Sequence, residues 1–249
     1  MPSAGERPII AVERLTIGYG ETVVLQDLDF TVPSGDVFAI LGGSGSGKST
    51  LLRHLIGLEV PMGGTILVNG APPVRGVGAP GYGVLFQSGA LFGSMTLAQN
   101  VALPLNKWTR LDRGAIDTIV RSKLRLVGLE GFENHLPAEI SGGMKKRAGI
   151  ARALALDPPL IFLDEPSAGL DPVSSVDLDQ LILTLNHSLG MTTVMVTHEL
   201  ASIFAVAHDC IMVDSGARAI IARGEPTALR DTSTDPRVHA FFNRQPLAA

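Results

Sequence analysis

The sequence contains 249 residues, 45% of them hydrophobic, which is enough for one large α/β domain or a domain with a subdomain around a buried core. Its formal net charge of −4 gives no electrostatic reason to expect a nucleic-acid partner, and its single cysteine excludes an internal disulfide. Because it has neither an apolar run of about 18 residues nor the pattern of a signal peptide, we expect a cytoplasmic protein that acts at a membrane only through a partner.

The first predicted elements are strands. Residues near 9–17 and 22–32 have the pattern of an antiparallel pair, and the short apolar run VFAI at 37–40 predicts a buried strand. The segment TLLRHLIGL, which begins at Thr50, has helical periodicity. Between that strand and that helix lies a glycine- and serine-rich stretch with almost no side chain to build a core.

The stretch LGGSGSGKST at 41–50 predicts a phosphate-binding loop, because G-x-x-x-x-G-K-S between a strand and a helix is the context of such loops. Glycines allow backbone N–H groups to converge on phosphate oxygens, and the helix N-terminus adds partial positive charge. We expect Lys48 to neutralise the β and γ phosphates and Ser49 to bind Mg²⁺; an ordinary Gly/Ser turn is the alternative. The predicted nucleotide contacts are Gly42, Gly43, Ser44, Gly45, Ser46, Gly47, Lys48, Ser49 and Thr50.

From about residue 88 to 158 the sequence is mainly helical, and RGAIDTIVRSKLRLVGL at 113–129 is amphipathic. The segment SGGMKKR opens one of these helices. Ser141 and the unpaired N–H groups of the first turn therefore form a helix end that suits an anion.

Two acidic residues follow the buried strand that LIFLDEP predicts at 160–166. Charges at the end of such a strand are costly unless they meet a cation. We therefore expect Asp164 to bind Mg²⁺ and Glu165 to activate a water that attacks the γ-phosphate. Taken alone, the acidic pair fits a surface turn equally well, but together with the phosphate loop it favours a nucleotide site.

Another strand, predicted at 191–196, is followed by His198. A histidine at the carboxyl end of a parallel strand faces the edge at which such sheets bind ligands, so we predict that His198 contacts the γ-phosphate and Glu165. A capping or surface histidine is the alternative for His198. The same capping or surface interpretation applies to the other five histidines, His54, His135, His187, His208 and His239.

The single cysteine, Cys210, is predicted to be a small buried residue.

The segment ISGGMKKRAGIARAL at 140–154 resembles the signature sequence of ABC-transporter ATPases, and it precedes LIFLDEP as it does in that family. The resemblance extends from about residue 9 to about residue 230. It implies an α/β fold, namely a P-loop NTPase core of the ABC type with an antiparallel β subdomain and a helical subdomain. The order of motifs also matches: Tyr19, the phosphate loop, Gln87, the signature, Asp164 and Glu165, SAGLD at 167–171, and His198.

The resemblance also implies domain boundaries. A single ABC ATPase domain would span 9–245, with its nucleotide-binding core at 9–87 and 159–230 and its helical subdomain at 88–158. Residues 231–249 would form a C-terminal tail. This tail would dock on the core or on a second copy through apolar residues at helical spacing, which are Val238, Phe241 and Phe242.

Family roles carry over to the matching residues. Tyr19 would stack on adenine, and Gln87 would contact Mg²⁺ and the attacking water. Asp171 would contact the partner across a dimer. Three residues of the signature would complete the nucleotide site of the second copy, namely Ser141, Gly142 and Gly143.

The signature departs from the usual L-S-G-G-Q at two positions, where Ile140 replaces leucine and Met144 replaces glutamine. Neither change alters the Ser-Gly-Gly end, so the expected function stays. Because one chain carries one phosphate loop and one signature, two copies would pair head to tail around ATP. ATP would then hold the dimer together, and hydrolysis would release it.

The segments GVLFQSGALF at 83–92 and SGGMKKRAGIARAL resemble those of the ATPases of Mla/MCE-type lipid transporters. That resemblance implies transport of phospholipid or another lipid between bacterial membranes, with an integral-membrane permease and an MCE-type lipid-binding protein as partners. The ATPase would be peripheral on the inner membrane. We predict that the permease contacts Ser88 to Phe92, in which Leu91 and Phe92 have the pattern of exposed residues; subdomain core is the alternative.

Three alternative functions follow from the same residues. The ATPase could energise another solute, including lipoprotein release or toluene-type efflux. A non-transport ABC ATPase acting on DNA or ribosomes would carry a long coiled coil or a second cassette, which the sequence lacks, so we expect no nucleic-acid partner. A binding scaffold with an inactive site is disfavoured by the intact Lys48, Asp164, Glu165 and His198.

Overall fold

The computed structural model describes residues 8–73 and 78–245, which form two β-sheets with helices packed against them. The strands in chain order are β1 (Ile10–Tyr19), β2 (Thr22–Val32), β3 (Val37–Leu41), β4 (Gly63–Val68), β5 (Gly83–Leu85), β6 (Leu160–Asp164), β7 (Thr192–Val196), β8 (Asp209–Asp214) and β9 (Ala219–Gly224). The helices are α1 (Lys48–Leu55), α2 (Leu97–Trp108), α3 (Arg113–Leu126), α4 (Gly142–Ala153), α5 (Pro172–Leu189), α6 (Leu200–Val206), α7 (Pro226–Thr232) and α8 (Pro236–Asn243). A 3₁₀ turn at Pro137–Glu139 precedes α4.

The large sheet has the strand order β5-β6-β7-β3-β8-β9, and every neighbouring pair is parallel except β8 and β9. All residues of β3 and β7 are buried, as expected for strands that are covered on both faces. The strands predicted at 37–40 and 191–196 are therefore confirmed. Since the carboxyl ends of parallel strands lie at one edge, the segments that follow β3, β5, β6 and β7 meet there.

Alternate residues of β3 face opposite sides of the large sheet, as the two-residue period of a strand requires. Val37, Ala39 and Leu41 belong to the first hydrophobic cluster, which also contains buried residues of α2 to α6 and α8. Phe38 and Ile40 belong to the second cluster, which also contains buried residues of α1 and of the small sheet. Helix α1 therefore lies on the opposite face of the large sheet from α4.

The small sheet is antiparallel and has the order β2-β1-β4. It confirms the antiparallel strands predicted near 9–17 and 22–32. Strand β4 was not predicted, because the short segment GGTILV begins with two glycines, which weaken a strand pattern. The division into a nucleotide-binding core, a helical subdomain and a tail stays a prediction.

The described chain between β5 and β6 is mainly helical, as predicted for residues 88–158. The amphipathic segment predicted at 113–129 forms α3, which ends at Leu126 and buries Ile116, Val120 and Leu124. In the described part of the chain, no helix is long and apolar enough to cross a membrane.

Asn100 in α2 fixes the loop that precedes this helix. Its fully buried side chain accepts a hydrogen bond from the N–H of Phe92 at 2.8 Å and donates to the carbonyl oxygens of Phe92, Met95 and Thr96. The Phe92 side chain is 56% exposed, as predicted. The prediction for Leu91 is wrong, because this residue is half-buried and packs against the first hydrophobic cluster.

The end of the described chain docks on the core. Val238 and Phe242 of α8 are buried in the first hydrophobic cluster, and Phe241 packs against it. The ring of Phe242 lies 5.8 Å from that of Phe204 in α6. Of the two positions predicted for the tail, α8 therefore occupies the one on the core, and residues 246–249 lie outside the described chain.

Cys210 is fully buried in β8, as predicted, and its thiol donates a hydrogen bond to the carbonyl oxygen of Gly224 at 3.1 Å. Burial, together with the nearby carboxylates of Asp209 and Glu225, raises the pKa of Cys210 to about 12. The residue therefore acts as a packed, protonated side chain.

Gly83 provides a test of the packing between β5 and α4. A Cβ at this position would overlap the backbone carbonyl oxygen of Ala153, which cannot move without the helix. We expect Gly83→Ala to lower the free energy of unfolding by about 1–3 kcal/mol, the usual cost of overpacking, as measured by denaturant unfolding. In the control Gly93→Ala, the added Cβ meets nothing within 4 Å, so stability should change by less than about 0.5 kcal/mol. Equal stabilities of the two variants would contradict this packing.

Candidate active site

The phosphate-binding loop connects β3 to α1. Gly42 has a φ of +148° and Gly47 a φ of +97°, which residues with side chains rarely adopt. A Cβ on Gly42 would also overlap the carbonyl oxygen of Val213 and the hydroxyl group of Ser46. Side chains are thus excluded at these positions, and the exposed Gly43, Ser44 and Gly45 complete a loop of mostly main chain.

Lys48 is a buried cation at the start of α1, with 8% of its surface exposed. Its ammonium group donates hydrogen bonds to the carbonyl oxygens of Gly42 and Gly43, both at 2.9 Å. Burial lowers the pKa of Lys48, and the carboxylates of Glu165 and Asp164 oppose that shift. The lysine therefore lies inside the loop and within the electrostatic field of both acidic residues.

The N-terminus of α1 has no side chain to satisfy its free N–H groups, because its N-cap is Gly47, and its first turn contains no acidic residue. Ser49, in that turn, is exposed. The next residue, Thr50, is half-buried, and its hydroxyl oxygen lies 3.1 Å from that of Tyr19. Tyr19 is 47% exposed, so a flat aromatic side chain stands beside a helix end suited to phosphate.

Asp164 is the last residue of β6 and is half-buried. Burial, and then repulsion from Glu165, raise the pKa of Asp164, while the cations of Lys146, Arg53 and Lys48 oppose the rise. One carboxylate oxygen, Oδ1, is buried without a hydrogen-bond partner. A buried, unsatisfied oxygen in this electrostatic environment suits the binding of a cation.

Glu165 and His198 form a hydrogen-bonded pair at the same edge. The Nδ1 atom of His198 lies 3.0 Å from Oε1 of Glu165, and the other carboxylate oxygen is buried without a partner. The Glu165 side chain is 12% exposed, whereas that of His198 is 58% exposed. The imidazole of His198 therefore contacts the Glu165 carboxylate from the solvent side. A substrate bound on the phosphate-binding loop could lie between that loop and His198.

Lys146 was not predicted from the sequence, yet it contacts two predicted site segments. It is buried in α4, and its ammonium group donates hydrogen bonds to the backbone carbonyl oxygens of Gln87 and Glu165. Burial lowers the pKa of Lys146, and the carboxylates of Asp164 and Glu165 oppose the shift. The sequence contains one indication that Lys146 is buried, because on a helix this residue shares a face with the apolar Ile150 four positions later.

The signature residues and Asp171 lie at two neighbouring helix ends. Ser141 caps α4 by accepting a hydrogen bond from the N–H of Met144 at 3.2 Å, and Asp171 caps α5 through its carboxylate. Hydrogen bonds from Ser174 lower the pKa of Asp171. A Cβ on Gly143 would lie 3.5 Å from the Ser174 side chain, so these two helix ends are adjacent.

The residue at the second departure from the usual signature, Met144, packs against the first hydrophobic cluster. An apolar side chain therefore suits this position. Gly142 and Ser141 remain exposed at the start of α4. Since α4 and α1 pack on opposite faces of the large sheet, the signature end and the phosphate loop are parts of different surfaces of one chain.

Several atoms at the sheet edge fit a nucleotide and its magnesium ion. The buried Ser46 hydroxyl, Asp164 Oδ1 and Glu165 Oε2 have no hydrogen-bond partner among the described residues. No group of three or more histidine, cysteine, aspartate or glutamate side chains in the described ranges could hold a metal by itself. The unpaired groups here are carboxylate and hydroxyl oxygens, which suit Mg²⁺ bound together with phosphate oxygens.

Comparison with known proteins likewise indicates a protein that binds ATP. The chain matches the ABC transporter family over residues 25–168. It is 42% identical over 240 residues to the probable ribonucleotide transport ATP-binding protein Mkl of Mycobacterium tuberculosis (strain ATCC 25618 / H37Rv), covering 94% of this chain but only 66% of the relative's length. It is 41% identical over 231 residues to MlaF, the intermembrane phospholipid transport system ATP-binding protein of Escherichia coli (strain K12), covering 90% of this chain and 84% of MlaF.

A solved structure with the same fold is that of the ATP-binding cassette MJ0796, a dimer in a post-hydrolysis state bound to ADP and Pi. It is 28% identical to this chain, with a TM-score of 0.76, and the match covers 87% of this chain and 98% of the cassette. From the phosphate loop, the sheet order and these similarities together, the chain belongs to the ABC transporter family.

Proposed function

We propose that this chain is the ATP-binding and ATP-hydrolysing subunit of an ABC transporter. The observation that carries the proposal is the meeting, at one sheet edge, of the loop that holds Lys48 with Asp164 and the hydrogen-bonded Glu165 and His198. Enzymes that hydrolyse nucleoside triphosphates act mainly through positioning and charge stabilisation, and these groups supply both.

Nucleotide binding uses the main chain of the loop and the N-terminus of α1. The ammonium group of Lys48 exchanges its carbonyl partners, Gly42 and Gly43, for oxygens of the β and γ phosphates. Tyr19 stacks on the adenine ring. Thr50 and Ser46 contribute hydroxyl groups at the same end of the helix.

In hydrolysis, Glu165 accepts a proton from a water molecule whose oxygen attacks the γ-phosphorus. The bond between the γ-phosphorus and the β–γ bridging oxygen breaks, and ADP and phosphate leave. His198 orients the Glu165 carboxylate and contacts the γ-phosphate. Mg²⁺, held by Ser49, Gln87 and Asp164, supplies charge neutralisation to the phosphates when it is bound.

The active unit is a head-to-tail dimer in which Ser141, Gly142 and Gly143 of one copy face the nucleotide on the loop of the other. The placement of α1 and α4 on opposite faces of the sheet supports this proposal, because one chain presents its loop and its signature on different surfaces. The dimeric cassette bound to ADP and Pi supports it as well. Asp171 lies beside the signature end, where it would contact the partner copy.

The transported substrate is proposed to be phospholipid, moved between bacterial membranes. MlaF, at 41% identity, is named as the ATP-binding protein of an intermembrane phospholipid transport system. The chain would act from the cytoplasm, peripheral on the inner membrane, through an integral-membrane permease. An MCE-type lipid-binding protein would complete the system.

A second candidate is an ABC ATPase that energises another solute. The mycobacterial relatives, at 42% identity, are named as probable ribonucleotide transport proteins. The nucleotide site is the same in both cases, so the choice between the two substrates is made by the permease.

The proposed permease contact is the segment from Ser88 to Phe92, which follows the loop residue Gln87. Ser88 and Phe92 are exposed. The segment continues from Phe86, which lines an apolar groove of about 350 Å³ together with Trp108 of α2. A permease helix with an apolar face would cover both the groove and Phe92.

Lys48 tests nucleotide binding. We expect Lys48→Ala to weaken MgATP affinity by about 10- to 100-fold, because hydrogen bonds to a charged phosphate are lost, and to abolish ATP hydrolysis. Equilibrium binding of labelled ATP measures the affinity. Arg121→Ala, which removes an exposed cation on α3, is the control and should bind like the wild type. Unchanged affinity in Lys48→Ala would exclude the loop as the phosphate site.

A substitution at Glu165 tests its role as the general base in ATP hydrolysis. Glu165→Gln should retain ATP affinity but hydrolyse ATP at least about 10²-fold more slowly, the usual scale for loss of a general base. It should also accumulate as an ATP-bound dimer in size-exclusion chromatography with MgATP, because the nucleotide that holds the copies together is no longer hydrolysed. Glu130→Gln, a change at an exposed carboxylate after α3, should leave the rate unaltered. Hydrolysis at the wild-type rate in Glu165→Gln would contradict the assignment.

Phe92 tests the partner. Phe92→Asp places a charge in an apolar contact, so we expect loss of co-purification with the permease and retention of ATP affinity. The matched control is Val60→Asp, since Val60 is 87% exposed and distant in sequence from the proposed contact. If both variants co-purified with the permease, the segment from Ser88 to Phe92 would not be the permease contact.

The complex of the wild-type chain with its permease distinguishes the two candidate substrates. ATP hydrolysis by the wild-type complex in vesicles is measured with added phospholipid or with an added ribonucleoside monophosphate, which is distinct from the ATP that every assay contains. Stimulation by phospholipid supports the first candidate, whereas stimulation by ribonucleotide alone would overturn it.

A further inference from the structure

Lys146 joins three segments that lie far apart in the sequence. It stands on α4, five positions after Ser141, and is 6% exposed. Its ammonium group donates hydrogen bonds to the backbone carbonyl oxygens of Gln87 and Glu165, the latter at 3.0 Å. One side chain therefore connects the signature helix to the segments that follow β5 and β6.

The backbone of Glu165 needs support from its surroundings. Its φ of +46° is in the left-handed region, which is unfavourable for a residue with a Cβ. Three hydrogen bonds hold it: the N–H donates to the carbonyl oxygen of Val196 at 2.8 Å, and the carbonyl accepts from the N–H of Ala168 at 3.2 Å and from Lys146 at 3.0 Å. The first bond continues the sheet, the second closes a local turn, and the third comes from a helix whose first turn carries the signature.

We propose that Lys146 is a positioning residue that fixes the Glu165 carboxylate for ATP hydrolysis by holding the backbone of Glu165 and Gln87 against α4. The inference rests on the proposed function, since it assigns Lys146 a part in hydrolysis. Ser141 caps the N-terminus of α4, where the nucleotide of the second copy would bind. Movement of that helix end is therefore transmitted to Glu165 through one side chain, so hydrolysis in one copy depends on contact with the other.

A lysine suits this position because its ammonium group has three donors and no acceptor, so it can serve two carbonyl oxygens at once. Its charge strengthens both hydrogen bonds. Arginine would keep the positive charge and several N–H donors. Methionine would keep much of the side-chain volume but would have neither the charge nor a donor. The neighbouring Lys145 is half-buried on the same helix, and its side chain has no hydrogen bond or ion pair in the described chain, which makes it a matched control.

The test compares Lys146→Met, Lys146→Arg and Lys145→Met in the full chain, with ATP dissociation constant, kcat, KM and thermal unfolding measured for each. We expect Lys146→Met to lower kcat at least about tenfold, the scale of a small misplacement of a catalytic group. Its ATP dissociation constant and KM should stay within about threefold of the wild type, because Lys146 has no hydrogen bond to the phosphate-binding loop and reaches Gln87 only at its backbone carbonyl oxygen. Lys146→Arg should restore most of kcat, and Lys145→Met should match the wild type.

The outcomes separate the inference from the proposed function. A wild-type protein that does not hydrolyse ATP would overturn the proposed function. An active wild type with unchanged kcat in Lys146→Met, or an equal loss in Lys145→Met, would overturn only the role of Lys146, as would a loss of ATP affinity in parallel with kcat. If Lys146→Met does not fold, Lys146→Ala replaces it, since alanine leaves both carbonyl oxygens without a side-chain donor and adds no apolar volume; wild-type kcat in that variant would overturn the role.

Discussion

Two adjacent carboxylates at the end of a buried strand constrain the rest of the site. Asp164 is partly removed from water and is repelled by Glu165, which disfavours the charged form of Asp164. Lys48 offsets this effect from the phosphate loop, and Lys146 offsets it from α4. Because α1 and α4 pack on opposite faces of the large sheet, both hydrophobic clusters must be formed before both cations are in place. Stability of the core and charge balance of the site are thus linked.

The order of strands explains how residues distant in sequence become neighbours. Strand β7 pairs with β6 on one side and β3 on the other. The segments that carry Glu165, His198 and the phosphate loop therefore follow three adjacent strands, in a different order from the chain. Such a site is positioned by rigid strands, and within the Glu165–His198 pair only His198 is largely exposed.

Local patterns were sufficient to predict the loop, the acidic pair and most strands, because their evidence lies within a few residues. The failures involve contacts between distant segments. Leu91 has the composition of an exposed turn, but it packs on helices that the sequence does not place nearby. Lys146 lies in the charged run KKR, which is typical of a solvated helix face, and its burial depends on carbonyl groups of Gln87 and Glu165. Strand β4 requires its partner β1 to be identified.

The buried thiol in β8 has a practical consequence for measuring how two copies come together. Burial raises the pKa of Cys210 to about 12, so the thiol stays protonated at pH 7, and thiol reagents act on the ionised form. The chain contains no other cysteine. A single cysteine introduced at an exposed position could therefore carry a fluorescent or spin label without background labelling, so distances between copies become measurable in the otherwise native chain.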